Sequence, residues 1–106
     1  MKVLPLPVKL PIWQLASFKI DRTSLRARIG EPHYVEVDGS RTFGGEEDCW
    51  AYISSSGQRV MLTLRVPYKE AVIFADPPDA KGAIAALSAA IGDCAVSVLD
   101  RPYAET

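Results

Sequence analysis

The chain has 106 residues, 48% of them apolar and 24% charged, with 12 basic side chains against 13 acidic ones. That length fits one domain spanning 1–106, and the composition is that of an ordinary globular protein rather than a disordered one. No apolar run reaches the roughly 20 residues that cross a bilayer, and the near balance of charge argues against nucleic-acid binding, which needs a basic face.

Residues 1–11 read as an extended arm. Pro5, Pro7 and Pro11 exclude helix and interrupt sheet pairing. The arm lacks the apolar core and small-residue cleavage site of an export signal, so the expected compartment is the cytoplasm. Pro11 is placed to start a short helix over Ile12–Phe18, because proline suits the first helical position.

The stretch Ile20–Gly30 carries stronger helix signals. Asp21 is a good N-cap, and Ile20 and Leu25 have the spacing of a hydrophobic staple. Leu25 and Ile29 share a face, Gly30 suits the left-handed end, and Pro32 prevents continuation.

Tyr34–Asp38 alternates, with Val35 and Val37 on one face, and reads as a half-buried strand. Gly39–Glu47 is a loop holding three of the chain's seven glycines. Cys49–Ser54 and Arg59–Val66 read as a hairpin turned by Ser55-Ser56-Gly57-Gln58. Val60, Leu62, Leu64 and Val66 line one face of its second strand; Met61, Thr63 and Arg65 line the other.

Ala71–Ala75 is continuously apolar, as a central strand would be, and Asp76-Pro77-Pro78 stops it. Asp79 caps a final helix over Ala80–Ile91, with Ile84, Leu87 and Ile91 as its apolar stripe and Gly92 at its end. Gly82 weakens the first turn by up to about 1 kcal/mol relative to alanine. Ala95–Leu99 is a last short strand. The order predicts an α+β fold: an antiparallel sheet of four to five strands, packed by a C-terminal helix and short N-terminal helices.

Charge is distributed unevenly along this frame. The first thirty residues hold six basic side chains and one acidic one. Between Glu31 and Asp48 there are six acids (Glu31, Glu36, Asp38, Glu46, Glu47 and Asp48) and one base, Arg41. Like charges repel, so such a concentration calls for a reason. A solvated loop is the simple one; a negatively charged docking surface is the functional one. Trp50 and Tyr52 share a strand face, either in the core or on an open face beside the acids, where aromatic side chains commonly serve interfaces.

The signals for catalysis are poorer. His33, the single histidine, reads as a surface residue beside Pro32, and Cys49 as a buried strand thiol. Cys49 and Cys94 lack metal-ligand spacing and are expected to be reduced. Glu46-Glu47-Asp48 supplies oxygens, but neighbouring residues cannot all converge on one cation. Gly44-Gly45 is followed by carboxylates rather than Lys-Ser/Thr, which disfavours phosphate. Asp76 and Asp79 are explained by a strand stop and a helix cap. No catalytic residue, metal site or cofactor is therefore expected.

Two resemblances accompany this reading. Leu25-Arg26-Ala27-Arg28-Ile29-Gly30-Glu31-Pro32, followed by a strand, an acidic loop and Trp50-Ala51-Tyr52, resembles SmpA/BamE-like small modules. In those a helix ends in a Leu-Gly-Xaa-Pro type turn before strands bearing Trp-Xaa-Tyr. The chain departs from the outer-membrane members in having no lipoprotein signal or N-terminal lipidated cysteine. In size, layout and charge placement it also resembles the immunity proteins of bacterial polymorphic toxin systems. The local feature is Thr42-Phe43-Gly44-Gly45-Glu46-Glu47-Asp48-Cys49-Trp50 before a hairpin.

The second resemblance implies a non-enzymatic cytoplasmic inhibitor of a cognate toxin with a basic active site, without membrane or nucleic-acid binding. Glu36, Asp38, Glu46, Glu47 and Asp48 would mimic an anionic substrate and steer association. Phe43 or Trp50 would supply an apolar anchor, and Arg41 a contact that fixes register. The competing expectations are a small enzyme using Asp76 or Cys49, and a structural adaptor or assembly module.

Overall fold

A computed structural model describes residues 2–3, 13–36, 45–92 and 94–104. Its strands are β1 (Lys2–Val3), β2 (Trp13–Lys19), β3 (Tyr34–Glu36), β4 (Glu47–Ile53), β5 (Arg59–Arg65), β6 (Glu70–Asp76) and β7 (Ser97–Ala104). Helix α1 (Arg22–Ile29) follows β2, and α2 (Ala80–Ile91) follows β6. All described strand pairs are antiparallel, in the order β1-β4-β5-β6-β2-β7, and β3 also pairs with β4. The class is α+β as expected, with seven strands in the sheet in place of four to five.

Two of the additional strands lie where the sequence obscures them. The span expected to be a helix, Ile12–Phe18, instead holds β2, inserted between β6 and β7. A β-bulge between Gln14 and Ala16 breaks its alternation, so Leu15 and Ala16 are both buried side by side. A bulge of this kind conceals the period-two signal of a strand. Of the expected extended arm, Lys2–Val3 pairs with Ile53 and Tyr52 on the outer edge of β4; Pro5, Pro7 and Pro11 fall outside the described residues.

The helix ends follow their capping chemistry. The Ser24 amide donates to Asp21 Oδ1 at 2.7 Å, and the Gly82 amide donates to Asp79 Oδ1 at 3.1 Å. Gly30 and Gly92 close the two helices with positive φ, and their amides donate to Arg26 and Ser88 carbonyls. Gly82 has a packing reason: a Cβ there would lie 2.5 Å from Asp79 Oδ2 and 2.9 Å from Gln58 Oε1. Alanine would gain helix propensity only by disturbing the cap that starts α2.

Both helices cover one face of the sheet. Leu25 of α1 and Ala83, Leu87 and Ile91 of α2 join Trp50, Val60, Leu62, Leu64, Ala71, Ile73 and Ala75 in the main core. Ile84, expected in the stripe, is only partly buried, and Ala83 takes the inner position. Val72 and Phe74 point to the opposite face with Met61, in a second buried cluster. This continuously apolar strand therefore meets the helix layer through alternate residues, Ala71, Ile73 and Ala75.

Leu62 is completely buried in the main core. Truncation to alanine is expected to lower the unfolding free energy by about 2–5 kcal/mol, measured by urea denaturation. A near-neutral effect would contradict the packing just described.

Candidate functional site

The acidic segment separates into a buried, structural part and a half-buried part at the sheet edge. Asp48 lies on the helix-facing side of β4 and is fully buried. Arg22 and Arg26, one turn apart on α1, each bind it in bidentate fashion. Arg22 donates from Nε and a terminal nitrogen at 2.9 Å, and Arg26 does so at 3.0 Å. Arg22 also pairs with Glu46 at 2.9 Å, and Arg26 with Glu31 at 3.2 Å. Burial pushes the Asp48 pKa up, but the hydrogen bonds and charges of Arg26 and Arg22 outweigh it and hold the carboxyl below its ordinary value.

Asp48 is thus removed from the proposed docking surface. Its position, between Val35 and Leu64 of the flanking strands and fully buried, requires its charge to be matched inside the fold. The sequence contained a signal for this in Arg22 and Arg26, whose i, i+4 spacing puts both on one helix face. Trp50 is corrected likewise. It is fully buried in the main core and its indole Nε1 donates to the Gly30 carbonyl at 3.3 Å, so it is no exposed anchor. Tyr52 is core as well. Asp38, Arg41 and Phe43 lie outside the described residues.

The second part lies at β3, where Glu36 and Glu47 are half-buried beside exposed neighbours. Tyr34 is 46% and Val35 41% exposed, and the Tyr34 hydroxyl donates to Glu36 Oε2 at 2.6 Å. The side chain of Glu31, just before β3, is 81% exposed. Strand register brings a row of charges across one end of the sheet: Lys19 beside Glu70, Glu70 beside Arg65, Arg65 beside Glu47, and Glu47 beside Glu36. Lys19 and Glu70 are 3.8 Å apart, and Arg65 and Glu70 are 3.4 Å apart. The row alternates in sign until its last step, where two glutamates stand opposite each other. Like charges directly opposite in a sheet are destabilising.

The residues of the enzyme reading are occupied elsewhere. Burial pushes the Cys49 thiol up to about 11, and its sulfur lies 3.7 Å from the Thr63 hydroxyl. A thiol so placed is scarcely ionised at neutral pH. Asp76 pairs with Arg59, and Asp79 caps α2. His33 is half-buried rather than on the surface, and its Nδ1 accepts the Ala51 amide at 2.9 Å. Among the described residues no group of three or more His, Cys, Asp or Glu is placed to hold a metal. Among the same residues no helix is long and apolar enough to cross a membrane.

Asp48→Asn should destabilise the fold by about 3 kcal/mol, at the lower end for breaking a buried ion pair because both guanidiniums keep some contact with water. The folded Asp48 pKa is depressed, so its stabilisation is present above the ordinary carboxylate value of about 4 and lost as pH falls through the folded one. Acid titration of unfolding free energy should therefore fall less steeply in the variant. The meaning of the β3 edge rests on its own geometry, because no family model, curated protein or solved structure matches the chain.

Proposed function

We propose that this chain is a non-enzymatic binding protein, an immunity protein that neutralises a cognate toxin through the acidic end of β3 and β4. The observation that carries this reading is the like-charged step of the charge row, Glu36 opposite Glu47. A like-charged pair kept at a strand edge, beside exposed Tyr34 on the same face, fits a surface completed by a basic partner. The partner supplies a cation to this pair, and Tyr34, on the same face as Glu36, supplies apolar contact. Asp38 extends the acidic segment in sequence, with Arg41 and Phe43 nearby as the register contact and the anchor. Asp48 and Trp50 serve this surface from behind, by holding β4 in place.

Opposite charge on the two partners accelerates association and makes it fall with salt. The first partner to test is the protein encoded immediately upstream of this chain's gene. Glu36→Gln keeps an acceptor for the Tyr34 hydroxyl and removes one of the two facing charges. It should leave the fold as stable or more stable, by about 0.2–1 kcal/mol. Binding, measured by calorimetry or surface plasmon resonance, should weaken several-fold, with a shallower dependence on salt. Unchanged affinity and salt slope would reduce the acidic edge to a solvated surface and remove the basis of the proposal.

A further inference from the structure

The outer edge of β4 is shared. Register places Glu36 and Tyr34 of β3 against Glu47 and Cys49, and Lys2 of β1 against Ile53. Ala51 falls between the two partner strands. Groups on every second residue of a strand point to the same edge, so the Ala51 amide points into this gap. The backbone of Ala51 is enclosed, since the residue is only 2% exposed. Its hydrogen bond goes to His33 Nδ1 at 2.9 Å. The imidazole takes the place of a strand partner, and it packs edge-on against Tyr52 at 5.1 Å between ring centres.

This makes the bond conditional on protonation. A neutral imidazole with its proton on Nε2 accepts at Nδ1; an imidazolium carries N–H at both positions and accepts at neither. A charged ring would turn a donor toward the Ala51 donor. His33 also donates its own amide to the Cys49 carbonyl at 2.9 Å, one residue before β3 begins. The side chain and main chain of one residue therefore dock the start of β3 on β4.

No described carboxylate rescues the charged form. Glu36 of β3 is held by Tyr34, Glu31 at the end of α1 pairs with Arg26, and Glu47 of β4 stands beside Arg65. Asp48 of β4 is held by Arg22 and Arg26 on the opposite face, and the remaining titratable groups of that strand, Tyr52 and Cys49, are both raised above their ordinary values by burial. Lys2 is the titratable residue of β1. Burial likewise depresses the His33 pKa.

We propose that His33 is a pH-sensitive pin: its protonation releases β3 from β4 and so disassembles the docking edge. The functional part of this rests on β3 being the binding strand; the pin itself does not. The sign follows from the depressed folded pKa. The pin's stabilisation is present above the ordinary histidine value of about 6.5 and is lost as pH falls through the lower, folded value. Acid would thus dissociate a partner by loosening the strand it binds.

The test is a pH titration of the full chain by nitrogen-15 NMR without any partner, following the His33 ring and amide exchange together. Above the midpoint the ring should carry its proton on Nε2. As pH falls, the amides of Ala51 and β3 should lose protection about tenfold, the scale of one lost buried bond. They should do so on the His33 midpoint, while β5 and β6 keep theirs. His33→Asn, with an uncharged acceptor on the same side chain, should keep its protection across that range. Persistence of Ala51 and β3 protection through the His33 titration would overturn the proposal, as would the same loss in the variant. If the variant does not fold, coincidence of the two midpoints in the unsubstituted chain supports the pin and separation of them overturns it. Because no partner is present, a failed binding assay leaves this result standing, and a failed titration leaves the binding reading standing.

Discussion

The arrangement of this protein depends on one buried carboxylate. Asp48 enters the core on β4 and is met there by two guanidiniums from α1. A buried charge without a partner costs several kcal/mol, whereas two bidentate arginines satisfy both of its oxygens. The contact sets where α1 lies over the sheet. From that position Arg28 reaches the last turn of α2, donating to the Ile91 carbonyl at 2.9 Å. Gly30 presents its carbonyl to the Trp50 indole. The helix layer is joined to the sheet by these polar contacts as well as by Leu25 and Leu87 in the core. The cluster also specifies register. Slipping β4 by one residue would carry Asp48 to the opposite face, away from both arginines, and would bring Cys49 to the helix side.

Strand β4 carries the load of the whole edge. One side is paired with β5 along its full length, from Glu47 opposite Arg65 to Ile53 opposite Arg59. The other side is divided between β3, β1 and the His33 imidazole. Short edge strands limit unwanted pairing with other chains. The opposite edge is managed differently. On β7 the register jumps from Val98 opposite Ala16 to Tyr103 opposite Gln14, so Leu99, Asp100, Arg101 and Pro102 bulge away from the ladder. A bulge with two charges and a proline is a poor template for a further strand. The β3 edge, with its paired glutamates and exposed Tyr34 and Val35, is the place where the local rules of sheet stability are relaxed.

The contrast between Asp48 and Glu36 shows how one acidic segment serves two purposes. Asp48 pairs across to Leu64 and faces the helices; Glu47, one residue earlier, pairs with Arg65 and faces the other way. Alternation along β4 therefore sends consecutive acids to opposite faces. One becomes part of the fold and the other joins a surface row. Neither composition nor local charge density distinguishes them, because the distinction is made by the strand's orientation relative to α1.

Much of the local structure was legible from the chain. The Asp21 and Asp79 caps, the glycine ends of both helices, the limits of α2 and the β4–β5 hairpin all follow from chemistry within a few residues. Short-range hydrogen bonds and backbone freedom decide such features before any long-range contact forms. The sequence by itself also determined the class, since a run of antiparallel strands with a capped amphipathic helix has few ways to bury its apolar faces. What it did not reveal was β2 as a strand, the burial of Asp48 or the inward role of His33. Each depends on a partner distant in sequence: β2 on β6 and β7 across a bulge, Asp48 on Arg22 and Arg26, and the His33 ring on the Ala51 amide. A carboxylate or an imidazole has the same local sequence signature in water as in a core. Only the tertiary structure decides whether its charge is solvated, paired or suppressed, because that depends on which groups the fold brings within hydrogen-bonding distance.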